Sequence, residues 1–287
     1  MATEVEHVRM PARPPGSAGV RVEPSRGRPR LKLHELWAYR ELLYFLTWRD
    51  VTVRYKQTAL GVSWAILQPL ATMIIFTIFF GHLAKIPSEG LPYALFSYSG
   101  LVLWTFFSNG LTLSSNSLVA SSNLITKIYF PRLVIPLGAV LAGFVDLVLA
   151  VVVLAGLMIV YTTAPPPAVV LAPVFVLLAF VTVVGAGLWL SALNVKYRDI
   201  RYVVPFLVQL WLFATPIAYP TSLLHEPWKT LYGLNPMVGA IDGFRWAVLG
   251  TPSPGWTAVV SAFSATVLLA TGLYYFRRME KGFADII

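Results

Sequence analysis

The sequence predicts an all-helical, polytopic membrane protein with six transmembrane helices, and three observations predict it. Hydrophobic residues make up 57% of the 287 positions and charged residues only 12%, with a mean hydropathy of +0.69. So little charge cannot cover the surface of a water-soluble protein of this length. Charge also vanishes over long runs: none falls between Lys56 and Lys85, a gap longer than the roughly 20 apolar residues that cross a bilayer. Finally, Lys and Arg crowd onto one side of these runs.

Cutting the chain at its charge-free runs gives spans over about 61–82, 95–118, 134–160, 168–193, 203–220 and 256–276. Regular two-residue alternation is missing, so the spans are helices, which bond their own backbone in lipid. Before the first span, RYKQTALGVSWAILQP passes from a basic, aromatic, amphipathic stretch into an apolar run. It reads as a helix lying on the membrane surface that turns and dives in. Residues 1–33, rich in Pro, Arg and Gly, have no apolar core for a signal peptide. They read as a disordered cytoplasmic tail, with anionic lipid headgroups as an alternative partner. Residues 34–287 then form the transport domain.

In the third span, Gly138 with Ala142 and Ala139 with Gly143 repeat at four-residue spacing, which lets helices approach closely. With the N-terminus inside, outside loops carry only Lys85, Lys229 and Arg245. Without the tail, twelve basic residues still lie inside against those three, so both termini are expected in the cytoplasm. Two inside loops, NLITKIYFPRLVIP and NVKYRDIRY, combine basic and aromatic residues. They anchor the protein at the headgroups or offer a docking surface to a cytoplasmic partner.

The outside segment 220–255 is too long for a plain connector. It holds MVGAIDGFRWAVL, about 13 apolar residues, which is short for a span and suits a re-entrant segment. Asp242 and Arg245, three apart, can pair on one helical face, and Pro216, Pro220, Pro227 and Pro236 isolate the pieces. Two short helices that dip into the outer leaflet and return, as a lid, are expected here.

Several chemistries are missing. No G-x-x-x-x-G-K-[ST] occurs, so no P-loop for ATP phosphates is encoded. With no cysteine and four scattered histidines, the chain offers no metal-ligand spacing and no thiol nucleophile. No catalytic residue and no metal site are expected. The net charge of +9 is spread over tail and loops rather than a nucleic-acid-binding face. Asp146 is the only formal charge inside a span, with no Lys or Arg in any span to meet it. It is expected to face other helices or a wet lumen, or to carry protons in a relay.

At this point the residues resemble a family. RYKQTALGVSWAILQPL, the KIYFPR and YRDI loops, and LNPM followed by FRWAVLG stand in the order found in membrane subunits of ATP-binding-cassette polysaccharide exporters. The resemblance covers about residues 34–287. It implies a homodimer with two separate ATPase subunits, which hold the ATP and Mg, and a lipid-linked glycan substrate such as O-antigen, capsule or teichoic acid in the bacterial cytoplasmic membrane. It further implies that 34–57 is an interface helix near the ATPase, that the KIYFPR segment borders the cytoplasmic entrance, and that the outside segment forms gate helices.

The candidate site residues follow. Arg54, Tyr55, Lys127, Tyr129, Phe130, Arg132, Tyr197, Arg198 and Asp199 are expected at the cytoplasmic entrance and the ATPase coupling surface. Asn235, Pro236, Asp242 and Arg245 are expected in the outside gate. Trp64, Phe76, Tyr98, Trp104, Phe107, Trp211 and Phe213 are candidate channel aromatics, because sugar rings pack their C–H faces on aromatic faces. The same aromatics equally fill helix interfaces. Other classes remain: a lipid or drug exporter on the same scaffold, a proton-coupled transporter dependent on Asp146, or a membrane glycosyltransferase, for which the loops supply no acidic metal site.

Overall fold

A computed structural model of the protein describes residues 37–56, 63–128 and 130–283. The expected tail 1–33, the elbow at 57–62 and Tyr129 lie outside these residues. All regular structure among the described residues is helical. The principal helices are α1 (Arg40–Lys56), α2 (Ser63–Phe76, continued by a wider π-helical stretch Thr77–Leu83), α3 (Tyr93–Ala120), α4 (Ser122–Lys127) and α5 (Val134–Val160). They are followed by α6 (Ala172–Lys196), α7 (Ile200–Phe213), α8 (Trp228–Tyr232), α9 (Pro236–Leu249) and α10 (Trp256–Met279).

Four helical stretches are long and apolar enough to cross a membrane: Ser63–Leu83, Val134–Val160, Pro167–Lys196 and Trp256–Met279. The other two predicted spans are atypical for different reasons. α3 has 28 residues, about 42 Å of helix, but carries six serines, two threonines and two asparagines. It is the axis of the bundle and packs against α2, α5, α6, α7 and α9. Several of its buried serines are satisfied within the helix: Ser99 donates to the Phe96 carbonyl (2.7 Å) and Ser115 to the Thr112 carbonyl (2.8 Å), while the buried Tyr98 hydroxyl has no partner among the described residues. A serine-rich helix can sit in this core because such serines need no partner from another element.

α7 is shorter than expected. The apolar run suggested a span to about 220, but the helix stops at Phe213 after 14 residues. That is about 21 Å, short of the roughly 30 Å hydrocarbon core. Pro216 lacks the N–H that a further turn would donate, and the chain instead turns tightly, with the Ile217 N–H on the Thr215 carbonyl (2.8 Å).

α1, expected as a helix on the membrane surface, packs lengthwise along α5. Leu46 meets Gly138, where an added Cβ would stand 3.4 Å from the leucine side chain. Eight residues further along both helices, Arg54 meets Asp146. The two helices therefore run side by side in the same direction. The two small-residue rows of α5 serve different neighbours, since Gly143 faces Phe106 of α3.

All strongly basic connections gather at one end: Lys127, Arg132, Lys196, Arg198, Arg201, Arg277 and Arg278. Beneath them Leu46, Leu118, Phe130, Val134, Val195 and Phe276 form one apolar cluster. A larger cluster fills the rest of the bundle between α3, α5, α6 and α9. Lipid tails give apolar helices no hydrophobic reason to associate, so close packing and polar contacts must hold the bundle together.

Candidate functional site

Part-way along the bundle, α1, α2, α3 and α5 leave a cavity of about 630 Å³. Its position follows from helical register. Thr105, Asn109 and Thr112 recur at i, i+4 and i+7, so α3 turns one polar face toward it. Trp64 and Gln68 face it from α2, and Arg54, Tyr55 and Asp146 close one side. Asp146 lies 12 residues into α5, about 18 Å from the basic end, and Asn109 a similar distance along α3.

Asp146 is 8% exposed, yet it is not alone. The Arg54 guanidinium pairs with one carboxylate oxygen, and the Tyr55 hydroxyl donates to the other. Sequence reasoning sought a partner only inside spans and missed Arg54, which reaches this depth because α1 runs along α5. A charge at this depth costs about 2.5–3.5 kcal/mol on insertion scales, which explains why it is paired. Among the described residues, the side-chain amides of Gln68 and Asn109 and the Thr105 hydroxyl donate to no protein acceptor. Thr112 instead donates to the Ser108 carbonyl at 2.8 Å. Gln68, Thr105, Asn109 and Thr112 were not singled out from the sequence. Their signal was there, as a polar stripe at helical spacing within an apolar span.

The seven candidate channel aromatics separate by position. Trp64 is 60% exposed and lines the cavity. Phe76, Tyr98, Trp104 and Phe107 are buried in the subunit core, out of reach of any ligand in this conformation. Trp211 packs edge-on against Phe107 and donates to the Asn235 side chain at 2.9 Å. Phe213 is exposed at the end of α7.

The basic end shows two kinds of candidate residue. Phe130 is buried among Leu46, Ile125 and Phe276. The Arg132 backbone N–H donates to the Glu280 carboxylate (3.0 Å), its guanidinium donates to the Glu280 carbonyl, and Arg277 pairs with the same carboxylate at 2.9 Å. These contacts fix the loop before α5 to the end of α10. Lys127, Tyr197, Arg198 and Asp199 are instead exposed, with the Lys196 ammonium over the Tyr197 ring. Asp199 stands at the start of α7 without capping it.

At the opposite end, segment 220–255 does contain two short helices, α8 and α9. Asn235 caps α9 by accepting from the Met237 N–H (3.1 Å), and Pro236 sits where a missing N–H costs nothing. The Asn235 amide also donates to the Ala214 carbonyl at 2.7 Å, tying α9 to the end of α7. The Asp242–Arg245 pair forms, at 3.4 Å. Arg245 reaches further: it donates to the carbonyls of Phe96 (3.2 Å) and Pro216 (3.1 Å) and to the Ser99 hydroxyl (3.3 Å). Its guanidinium also lies 3.7 Å from the Phe96 ring centre. Gly100 leaves room beside it, because an added Cβ would stand 2.8 Å from an Arg245 nitrogen and displace the guanidinium.

Burial pushes the Asp242 carboxyl up to about 6, against the pull of Arg245 and the Thr221 hydroxyl that donates to it at 2.7 Å. α9 is buried at nearly every position, packed on α3, α6 and α10. The helix expected as part of a lid is thus packed on three neighbours.

These features define a polytopic helical membrane protein with a cavity of mixed polar and apolar lining between four of its helices and a short buried helix at the end opposite the basic loops. Residues 41–249 match the model of the ABC-2 type transporter family, and the chain belongs to that family. It is 29% identical over 260 residues to the O-antigen export system permease protein RfbA of Myxococcus xanthus, covering 89% of this chain and 98% of that protein. It is 27% identical to the protein of the same name from Klebsiella pneumoniae, over 86% of this chain and 95% of that one. The Polysialic acid transport protein KpsM of Escherichia coli is 24% identical, over 81% of this chain and 91% of its own length.

Proposed function

We propose that this chain is the membrane subunit of an ATP-driven exporter that carries a polyprenyl-diphosphate-linked polysaccharide, of the O-antigen or capsule kind, across the cytoplasmic membrane. The observation that carries the reading is the near full-length similarity to O-antigen export permeases, within a family match that spans most of the helices. Two copies form the pathway, and two separate ATPase subunits bind ATP and Mg, because this sequence encodes no phosphate-cradling loop. The basic end is cytoplasmic, with both termini there and six helices crossing the bilayer. The exposed Tyr197, Arg198 and Asp199 at that end support a docking role for the loop before α7.

The exposed apolar faces of α2 (Ile74, Ile75, Ile78, Phe79) and α7 (Phe206, Leu210, Phe213) suit lipid or a second copy. Deleting the gene should trap lipid-linked glycan on the cytoplasmic side, and the intact gene should restore export. Unchanged glycan at the cell surface after deletion would refute the proposal. So would saturable ATP hydrolysis by the isolated chain.

A further inference from the structure

We propose that the cavity between α1, α2, α3 and α5 is a binding site for an uncharged sugar unit. Trp64 is its stacking platform, and Gln68, Thr105, Asn109 and the Arg54–Asp146 pair are its hydroxyl partners. The inference rests on the glycan reading above and adds a place within one subunit where the glycan is held.

Three features of the cavity select this ligand class. First is its charge. Among the described residues lining it, Arg54 and Asp146 are the only guanidinium and carboxylate, and they face each other. The site is therefore neutral overall. A phosphate or diphosphate would meet the Asp146 carboxylate as well as the guanidinium, with no second cation to offset it.

Second is its hydrogen-bonding capacity. The amides of Gln68 and Asn109 and the Thr105 hydroxyl have no protein acceptor among the described residues. An acyl chain filling the cavity would pack on Val102, Phe106, Leu113 and Leu147 but would strip water from these groups and return no hydrogen bond, whereas the C–H face of a sugar packs on the same apolar side chains. A sugar ring carries hydroxyls that both donate and accept, matching an amide, a hydroxyl and a paired carboxylate together. Third is shape. Trp64 keeps 60% of its surface exposed at the edge of the cavity, presenting a flat apolar face for the C–H side of a ring. A volume of about 630 Å³ falls among small-molecule sites of roughly 300–1,000 Å³.

The placement has a mechanical consequence. Arg54 and Tyr55 end a helix that runs along α5 to the basic end. A sugar that borrows hydrogen bonds from Asp146 competes directly with the contacts that hold α1 to α5. Occupancy of the cavity is thereby felt at the end of the bundle assigned to the ATPase partner.

The test uses the purified full-length chain in lipid nanodiscs and saturation-transfer NMR. The probes are the neutral disaccharides maltose, cellobiose and mannobiose, with inorganic pyrophosphate as the anionic comparison. At least one disaccharide should bind in the millimolar range. Trp64→Ala and Asn109→Leu should each weaken it fivefold or more, Trp64→Phe should retain most of it, and Trp228→Ala at the other end should leave it unchanged. Trp64 is exposed and Asn109 faces the cavity, so these variants should assemble normally.

No binding by any disaccharide would overturn the proposal, as would binding that Trp64→Ala and Asn109→Leu leave intact. Pyrophosphate binding abolished by Arg54→Gln would overturn it in favour of an anion site. Export in cells separates the two readings. If export needs the chain but tolerates Trp64→Ala and Asn109→Leu, the cavity proposal alone fails. If export does not need the chain, the functional reading fails with it.

Discussion

Replacing Arg54 with alanine should destabilise the protein far more than a surface charge deletion would. The carboxylate it leaves behind is that of Asp146, whose side chain is 10% exposed and lies about 18 Å into α5. An uncompensated acid at such depth costs about 2.5–3.5 kcal/mol. The Tyr55 hydroxyl still donates to it, and the 26% exposure of the Arg54 side chain means that water already screens part of the pair. A net loss of about 2 kcal/mol follows from these terms. For a protein of this size that is a fall of roughly 4–8 °C in Tm.

The double replacement Arg54→Leu with Asp146→Leu removes both charges. It should return stability to within about 1 kcal/mol of the parent, because apolar pairs replace buried ion pairs at little cost. The assay is thermal unfolding of the parent, Arg54→Leu, Asp146→Leu and the double variant in one detergent, analysed as a cycle, with Arg54→Ala measured beside them. A double variant no more stable than Arg54→Ala would refute the argument. So would an Arg54→Ala variant that melts with the parent.

Four further outcomes follow. Arg245→Ala should cost about 3–5 kcal/mol, read as lost expression or a lower Tm, because it strands Asp242 and two carbonyls in the core; Arg245→Lys should not restore it, since an ammonium cannot reach all these acceptors. Gly243→Ala should block folding, because its Cβ would overlap the Phe175 ring; Phe175→Ala in the same chain should recover expression, and failure to do so would refute the packing argument. Asn235→Ala should lower stability by about 1–2 kcal/mol through loss of the α9 cap, and Asn235→Asp, which keeps the cap acceptor, should lose less.

The fourth outcome is a pH dependence. The Asp242 carboxyl is raised from 3.8 to about 6 in the folded protein, so between those pH values the native state binds more protons than the unfolded one. Its contribution to stability therefore grows as pH falls from 6 toward 4 and is lost as pH rises through 6. Comparing Tm against pH for the parent and Asp242→Asn isolates it; parallel curves would refute it.

The sequence made the long helices legible because lipid excludes charge, so charge-free runs mark them directly. It also made legible the two short helices of segment 220–255, because proline and length leave few alternatives. The place of α1 was not legible. Its amphipathic, basic character suits a membrane surface, and what draws it along α5 is Asp146, 92 positions from Arg54.

The side that each aromatic faces was not legible for a related reason. Composition says that Phe76, Tyr98, Trp104 and Phe107 are apolar and bulky, while only packing decides whether such a ring faces a lumen or another helix. Arg245 was found through its spacing from Asp242, but its longer reach to the Phe96 and Pro216 carbonyls depends on how α3 and α9 cross. The stripe of Thr105, Asn109 and Thr112 is legible from register alone, although none of the three carries a charge to mark it within an apolar span.

The export claim is tested most directly in proteoliposomes that contain this chain and its ATPase partner, with lipid-linked glycan presented on the face that receives ATP. Protection of the glycan from an added glycosidase reports its movement to the other face. The account predicts protection that requires ATP, the partner and this chain together. Glycan that stays digestible with all three present, or that becomes protected in vesicles lacking this chain, would contradict it.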